Sequence, residues 1–416
     1  MRILAIIGAL SALIAGPARG DLAQQHMSHQ RHAIPGGRAA LLGGAYTALS
    51  DDPSGGYFNP AGLAFASNHE VSVNTWNQDS MNIVFKEAVK GEDFHEESTT
   101  RYASFVGGLI KSGILTTGYS ILSLDNRNIN QNDSFDNVST APGLTDEFKR
   151  VHQESNEYSL MGGSAAINIG SHLSLGLSSY YYTRTIEAMD FQLVKNVGGS
   201  GKAIDSKYRV DNQGVLAILG LMFRNSGWSF GLSYRAAVKN NNYTDYTYDS
   251  VSFAPNEAPV HNTAQTHETV RTYDEFVPTT VQLGVAYIPS KNFLLTADIL
   301  RHGSVDTGGQ SPNRIAIYNY SLGVEAGFWL VKFQAAIFTN NSQFEPLKAE
   351  RINQPAHIDY RGHSYGLTFV RKNQDFMVGT VRQEGRGKAQ IILNSPETQE
   401  VDSTSKVYLA SWRLKL

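Results

Sequence analysis

Val281-Gln282-Leu283-Gly284-Val285-Ala286-Tyr287 places a large apolar side chain at every odd position and a small or polar one at every even position. Successive side chains on a β-strand point to opposite faces, so this run makes one greasy face and one that is not. The same split recurs in Trp228-Ser229-Phe230-Gly231-Leu232-Ser233-Tyr234-Arg235 and in Tyr320-Ser321-Leu322-Gly323-Val324-Glu325-Ala326-Gly327-Phe328. Extending the reading outward gives strand cores near 70–77, 101–111, 114–122, 157–169, 173–185, 214–224, 228–237, 278–289, 293–301, 315–329, 331–339, 363–371, 375–383 and 405–416. That is about fourteen, with 80–90 as a candidate extra strand. Tight turns such as Lys111-Ser112-Gly113, Asn225-Ser226-Gly227 and Lys372-Asn373-Gln374 alternate with long polar loops. Short turns at one end and long loops at the other are the rule for outer-membrane barrels. The expected fold is therefore all-β: a transmembrane antiparallel β-barrel of about 14 strands. In the last strand, Tyr408 to Leu416, the even positions are apolar while Arg413 and Lys415 share the other face.

The ends and the composition agree. Met1-Arg2 and an apolar run to Gly16, closed by Pro17-Ala18-Arg19-Gly20, have the layout of a signal peptide (1–20). Asp21 is the expected mature N-terminus, with cleavage after Ala18 as the alternative. The run is shorter than the roughly 20 apolar residues of a membrane-spanning helix, and no later window supplies one. The absence of cysteine rules out a lipoprotein anchor, disulfide stapling and thiol chemistry. A net charge of −3 gives no footprint for nucleic acid. With 38 Gly, 20 Tyr and 19 Phe and only 41% hydrophobic residues, the chain suits a wall of which every second residue faces lipid.

Between a polar tail (21–35) and the barrel (68–416) lies a segment with no alternation, 36–67. It contains Gly37-Arg38-Ala39-Ala40-Leu41-Leu42-Gly43-Gly44-Ala45-Tyr46-Thr47-Ala48-Leu49-Ser50-Asp51-Asp52-Pro53-Ser54-Gly55-Gly56-Tyr57-Phe58-Asn59-Pro60-Ala61-Gly62-Leu63-Ala64. Its small residues allow a short helix to lie close against a wall. Asp51-Asp52-Pro53-Ser54 ends that helix in a turn, and Asn59-Pro60-Ala61-Gly62 gives a second one. Such a segment has the size to plug the periplasmic mouth of a barrel, with Asn59-Pro60-Ala61 against the inner wall.

This stretch resembles the N-terminal hatch of the FadL/TodX-type outer-membrane transport proteins, which carry a glycine-alanine stretch, an Asp-Asp turn and an Asn-Pro-Ala-Gly-like signature. The hatch motif here is Gly43, Gly44, Asp51, Asp52, Asn59, Pro60, Ala61 and Gly62. Over the barrel the resemblance is one of architecture only. It implies a bacterial outer-membrane protein that passively takes up hydrophobic small molecules (long-chain fatty acids, lipids or hydrocarbons). It also implies a ligand held beneath the loops and sideways release near a kinked third strand. In Ile114-Leu115-Thr116-Thr117-Gly118-Tyr119-Ser120-Ile121 the candidate kink is Gly118; relief of crowding in the wall is an equal reading of that glycine. The alternative function is a barrel accessory to protein secretion, or a structural or adhesin barrel. The expected partners are a hydrophobic small-molecule ligand and outer-membrane lipid, with no nucleic acid, no cofactor and a monomeric state.

Other constellations are weaker. His26, His29 and His32 are spaced three apart, but no Cys or carboxylate completes a metal set, so no metal is expected. Asp125–Asp136 and Asn241–Asp249 read as exposed loops that gather oxygen atoms without an EF-hand spacing. His363-Ser364 is an adjacent pair whose side chains point to opposite faces of a strand, and no Gly-x-Ser-x-Gly or His-Glu-x-x-His motif occurs, so no enzyme is expected. The polar-facing set Glu70, Arg235, Asp298, Glu325, Lys332 and Arg413 carries both signs. This favours mutual pairing, either along a wet lumen or in anchoring the hatch.

Overall fold

The computed structural model describes residues 29, 33–67, 69–74, 77–89, 91–136, 145–268, 277–306, 313–352, 354–392 and 396–416. The expected signal peptide and its cleavage site lie outside them, as do His26 and His32. Seventeen antiparallel segments form one closed sheet. They are β1 (Glu70–Asn74), β2 (Asn77–Val89), β3 (Glu92–Tyr102), β4 (Phe105–Ser112), β5 (Leu115–Phe135), β6 (Thr145–Ile169), β7 (Leu173–Asn196), β8 (Gly201–Asn225) and β9 (Trp228–Phe253). Then follow β10 (Val260–Glu268), β11 (Thr280–Ser290), β12 (Phe293–His302), β13 (Ile317–Phe328), β14 (Val331–Asn340), β15 (His357–Arg371), β16 (Gln374–Ala389) and β17 (Gln399–Lys415). Three staves are each made of two segments: β1 with β2, β3 with β4, and β10 with β11, which lie one after the other along the same neighbour. The barrel thus has fourteen staves. It closes where β17 pairs with β1 (Glu70↔Lys415) and β2 (Phe85↔Val401). The candidate extra strand at 80–90 is the upper part of the first stave.

The greasy face points outward. On β11, Gln282 and Ala286 are buried in the lumen while Leu283 and Tyr287 are exposed. On β13, Tyr320 is 51% and Leu322 45% exposed while Ser321 and Glu325 are buried. This inverts the soluble-protein pattern and requires an apolar solvent around the barrel. From Tyr318 to Phe328 the exposed face of β13 spans ten steps, about 33 Å at ~3.3 Å per residue; a strand tilt of ~40° makes that about 25 Å along the normal, a hydrocarbon thickness. Trp228, Tyr287, Trp329, Phe376 and Trp412 mark its short-turn edge, and Tyr181, Tyr234, Tyr365 and Tyr408 its loop-side edge. Among the described residues no helix is long and apolar enough to cross a membrane.

Above the tyrosine edge the polarity of the two faces swaps. On β7, Leu175, Leu177 and Tyr181 face outward in the belt, whereas further up Ile186 and Ala188 face inward and Glu187 outward. On β8, Val210 and Tyr208 are inside and Arg209 outside. A single greasy face ends where the two faces change sides, so β5 to β9 run 11 to 16 residues beyond the ends expected from alternation. Asp125–Asp136 and Asn241–Asp249 are corrected accordingly: apart from the last residue of the first range they are strand in β5 and β9, not loops, and Asp125 is buried.

Candidate functional site

Residues 33–67 fold back inside the barrel at its short-turn end. Helix α1 (Gly37–Leu41) is shorter than the expected helix, because Gly43 and Gly44 take φ of 61° and 77°, a left-handed conformation that ends it. Helix α2 (Gly55–Phe58) and a 3₁₀ turn (Pro60–Phe65) follow. Asn59 joins them. It is fully buried, caps the 3₁₀ turn through Ala61 N–H (3.2 Å), and donates its amide to Thr47 O (2.9 Å) and Leu221 O (3.1 Å) on the wall. Asp52 accepts from Ser54 N–H (2.9 Å) and its hydroxyl (2.6 Å), which fixes the Asp-Asp turn. Burial disfavours charge on Asp51, but Arg38 and Arg224 outweigh it and hold its carboxyl below the usual range.

The wall meets this segment with hydroxyls. Ser174, Ser178, Ser229, Thr296, Ser321 and Ser364 donate to Ala61 O, Gly56 O, Ala48 O, Ala45 O, Gly43 O and Leu41 O, at 2.5–3.1 Å. They come from five strands and satisfy carbonyls that irregular backbone would otherwise bury unpaired. Beside several of them a wall glycine gives the clearance. A Cβ on Gly176 would lie 2.3 Å from Ala61 N, and one on Gly231 would lie 2.2 Å from Thr47 O.

The polar-facing set both pairs and anchors. Asp298 Oδ2 accepts from the backbone N–H of Tyr46 and Thr47 (both 2.9 Å), the Thr47 hydroxyl (2.7 Å) and the Gln282 amide (2.8 Å). Glu325 receives Arg38 (2.9 and 3.2 Å) and Lys332 (2.8 Å). Arg235 donates to Tyr57 O (2.8 Å) and covers its ring. Arg413 binds Asp375 and stands 3.9 Å from both Asp52 and Glu70. Sequence reasoning missed Asp375, Arg224 and the hydroxyls. A signal was present: Ser-x-Gly at inward positions recurs at Ser174/Gly176, Ser229/Gly231, Ser321/Gly323 and Ser364/Gly366. As expected of neighbours on a strand, His363 is exposed outside while Ser364 reaches the hatch from within.

Directly above this folded-back segment the lumen is apolar. Phe105, Leu122, Leu124, Leu160, Tyr180, Tyr182, Leu216 and Ile218 pack together, with Tyr57 of the N-terminal segment against them. Here the wall also changes. β4 pairs with β5 up to Phe105↔Leu122, but beyond the break at 103–104 β3 has no ladder to β5 among the described residues. One backbone bond, Ser123 N–H to Ser104 O (3.0 Å), and one from Ser98 Oγ to Asn128 O (2.7 Å) cross that seam. Facing it, β5 slips register against β6 between Ser123 and Asp125. Gly118 is not the irregular point, since it is laddered on both sides, to Leu109 and Ser164; the departure comes six residues later, at Leu124.

His29 and residues 33–35 of the tail are inside as well. Ala33 N–H donates to Leu124 O (2.9 Å), and His29 donates from Nε2 to Ile358 O (2.6 Å) with its ring edge-on to Tyr360. Burial pushes His29 down to about 4. Higher still, Arg150 is fully buried between Glu96 (3.0 Å) and Asp190 (2.6 Å), bridging β3 and β7 from β6. Among the described residues no group of three His, Cys, Asp or Glu is arranged to hold a metal ion.

No protein-family model matches the chain, and no curated protein matches it by sequence. Solved structures do match by shape. The toluene transporter TbuX of Ralstonia pickettii superposes with a TM-score of 0.60 at 14% identity, over 93% of this chain and 99% of that one. The toluene transporter TodX of P. putida gives 0.61 at 13%, over 91% and 97%. A Pseudomonas aeruginosa FadL homologue gives 0.56 at 12%, over 89% and 96%. At such identities the likeness is one of architecture, and it spans essentially the whole of each barrel. The chain has the fold of the FadL/TodX-type outer-membrane barrels.

Proposed function

We propose that this protein is a passive outer-membrane channel for hydrophobic small molecules, such as long-chain fatty acids, lipids or hydrocarbons, with residues 36–67 acting as its hatch. One observation carries the reading: the apolar lumen cluster around Leu122, Leu124 and Tyr182 lies at the unladdered β3–β5 seam, directly above the hatch segment. A greasy molecule held there has polar backbone and ion pairs above it and a sealed floor below, so the downhill way out is sideways through the seam towards lipid. The structures it resembles, toluene transporters and a FadL homologue, support the same class.

Because the chain has no cysteine, the seam can be stapled cleanly. Ser98→Cys with Ile129→Cys places thiols on the two inward positions that flank the Ser98–Asn128 bond. Cells that depend on this barrel for uptake of a labelled fatty acid or toluene should lose uptake when the pair is oxidised and regain it with reductant. Uptake indifferent to the staple would overturn lateral exit, and uptake equal to that of cells without the barrel would overturn the transport reading itself.

A further inference from the structure

On the outer face, one row above the tyrosine edge of the belt, three basic residues stand side by side on adjacent strands. They are His363 on β15, Arg382 on β16 and Lys406 on β17, joined by the ladder pairs His363↔Arg382 and Arg382↔Lys406. Arg361 is exposed one row higher on β15. Among the described residues only Arg382 of these four has an acidic partner, Glu384, at 2.8 Å. Like charges placed directly opposite one another in an antiparallel ladder destabilise it; Glu384 offsets this at Arg382, and Lys406, directly opposite, is left to an external anion. Its height settles what that anion is attached to. The row below contains Tyr365 and Tyr408, which mark the lipid–water boundary, so the cations lie at the level of headgroup phosphates.

A second feature continues from the first. Beneath the basic row, on the lipid-facing surface of β13 to β15, Ala326 and Ala335 leave a groove of about 340 Å³ walled by Phe333, Tyr365 and Leu367. Tyr365 belongs to both features: it flanks the groove, and its ring stacks on that of His363 at a centroid distance of 6.3 Å. Small residues on a lipid face give up dispersion contacts unless a chain fills the recess.

We propose that this face is a binding site for one molecule of a phosphorylated outer-leaflet glycolipid of the lipid A type, its phosphate across His363, Arg382 and Lys406 and an acyl chain in the Ala326–Ala335 groove. The proposal rests on the barrel's residence in the outer membrane and not on what it transports.

The test uses the full mature chain refolded from denaturant into lipid-free detergent, with native mass spectrometry and the unfolding temperature as readouts. Bis-phosphorylated lipid A should bind with a stoichiometry of one and raise the unfolding temperature. Dephosphorylated lipid A, phosphatidylglycerol and inorganic phosphate should each do so far less. Arg382→Gln with Lys406→Gln should weaken lipid A binding at least about tenfold, the loss expected from removing two headgroup-level charges. Arg301→Gln, an exposed arginine on β12, should leave binding unchanged. Ala335→Trp, which fills the groove without touching a charge, should also weaken binding. Should the double variant fail to give a heat-modifiable band, Ala335→Trp and the headgroup series on the wild-type protein decide the question. Equal binding by wild-type and variants would overturn the site, as would phosphatidylglycerol or bare phosphate binding as tightly as lipid A.

Discussion

Asp298 concentrates more of the hatch's attachment in one atom than any other wall residue described here. Its Oδ2 accepts two backbone N–H groups and one hydroxyl from Tyr46 and Thr47, besides the Gln282 amide. Asp298→Ala therefore strands three hatch donors in a buried setting. Each buried donor left without an acceptor costs about 1–3 kcal/mol. Water can enter the volume vacated by the carboxylate, so the low end applies, about 3 kcal/mol in all. That corresponds to a shift of about a hundredfold in the ratio of released to docked hatch. Asp298→Asn keeps one carbonyl oxygen but loses the charge, and should give roughly half the free-energy change. The assay is single-channel recording in a planar bilayer, with heat-modifiable migration confirming that each barrel is folded. Wild-type protein should be nearly silent; Asp298→Ala should open about a hundred times more often and expose the 36–67 segment to added protease; deletion of 36–66 should conduct continuously. If Asp298→Ala stays as quiet and as protease-resistant as wild type, the carboxylate does not hold the hatch.

Three further outcomes are expected. Glu325→Gln leaves Arg38 and Lys332 without their shared carboxylate and should cost about 2–3 kcal/mol, at the lower edge of a buried pair because Lys332 is partly solvated, read as a lower unfolding temperature and more frequent openings. Gly231→Val drives a side chain into Thr47 O and should destabilise by about 1–3 kcal/mol, whereas Gly163→Ala, whose nearest atom would be 3.5 Å away, should be tolerated. His29 titrates near 4 when buried in the lumen and at its ordinary value near 6.5 when released, so the released tail binds the extra proton between those values. Docking of the tail is therefore complete above about pH 6.5 and weakens as pH falls towards 4, by at most about 3 kcal/mol; a spin label at position 33, with His29 kept, should gain mobility over that window, and a pH-independent spectrum would contradict the buried placement.

The fourteen staves were legible because a lipid-facing wall obliges every crossing to alternate, and runs such as Val281–Tyr287 do so over a whole crossing. Above the belt the same rule misled. Ile186, Tyr208 and Val210 are inward where Leu175, Leu177 and Tyr181 are outward, so a reader tracking one apolar face loses the strand at the change of solvent. The turns of the 36–67 segment were legible from Gly43-Gly44 and Asn59-Pro60, whose φ values and capping need those residue types. Its attachments were less so. Glu325 and Asp298 stood out as charges on a polar face, while Ser174 or Ser229 looks like any small inward residue until its hydroxyl is seen to meet a carbonyl.

The seam escaped for a different reason. A break in pairing is a relation between two strands, and neither β3 nor β5 carries a proline or an unbroken glycine run that would announce it. Gly118 drew attention as the one glycine in the expected third strand, yet a glycine flanked by regular partners keeps its register: its amide and carbonyl have the same ladder to satisfy as any neighbour's. What displaces β5 is accommodation further along. Leu124 is the extra residue between Ser123 and Asp125, its side chain is turned into the apolar cluster, and its carbonyl is taken by Ala33 of the tail. That carbonyl is turned to the lumen, and four residues further along β5 the carbonyl of Asn128 accepts from Ser98 Oγ of β3. The irregularity in the wall thus coincides with a bond to Ala33 and not with a helix- or sheet-breaking residue. Ala33 and the seam are therefore tied by one backbone bond, between residues 91 positions apart in the chain.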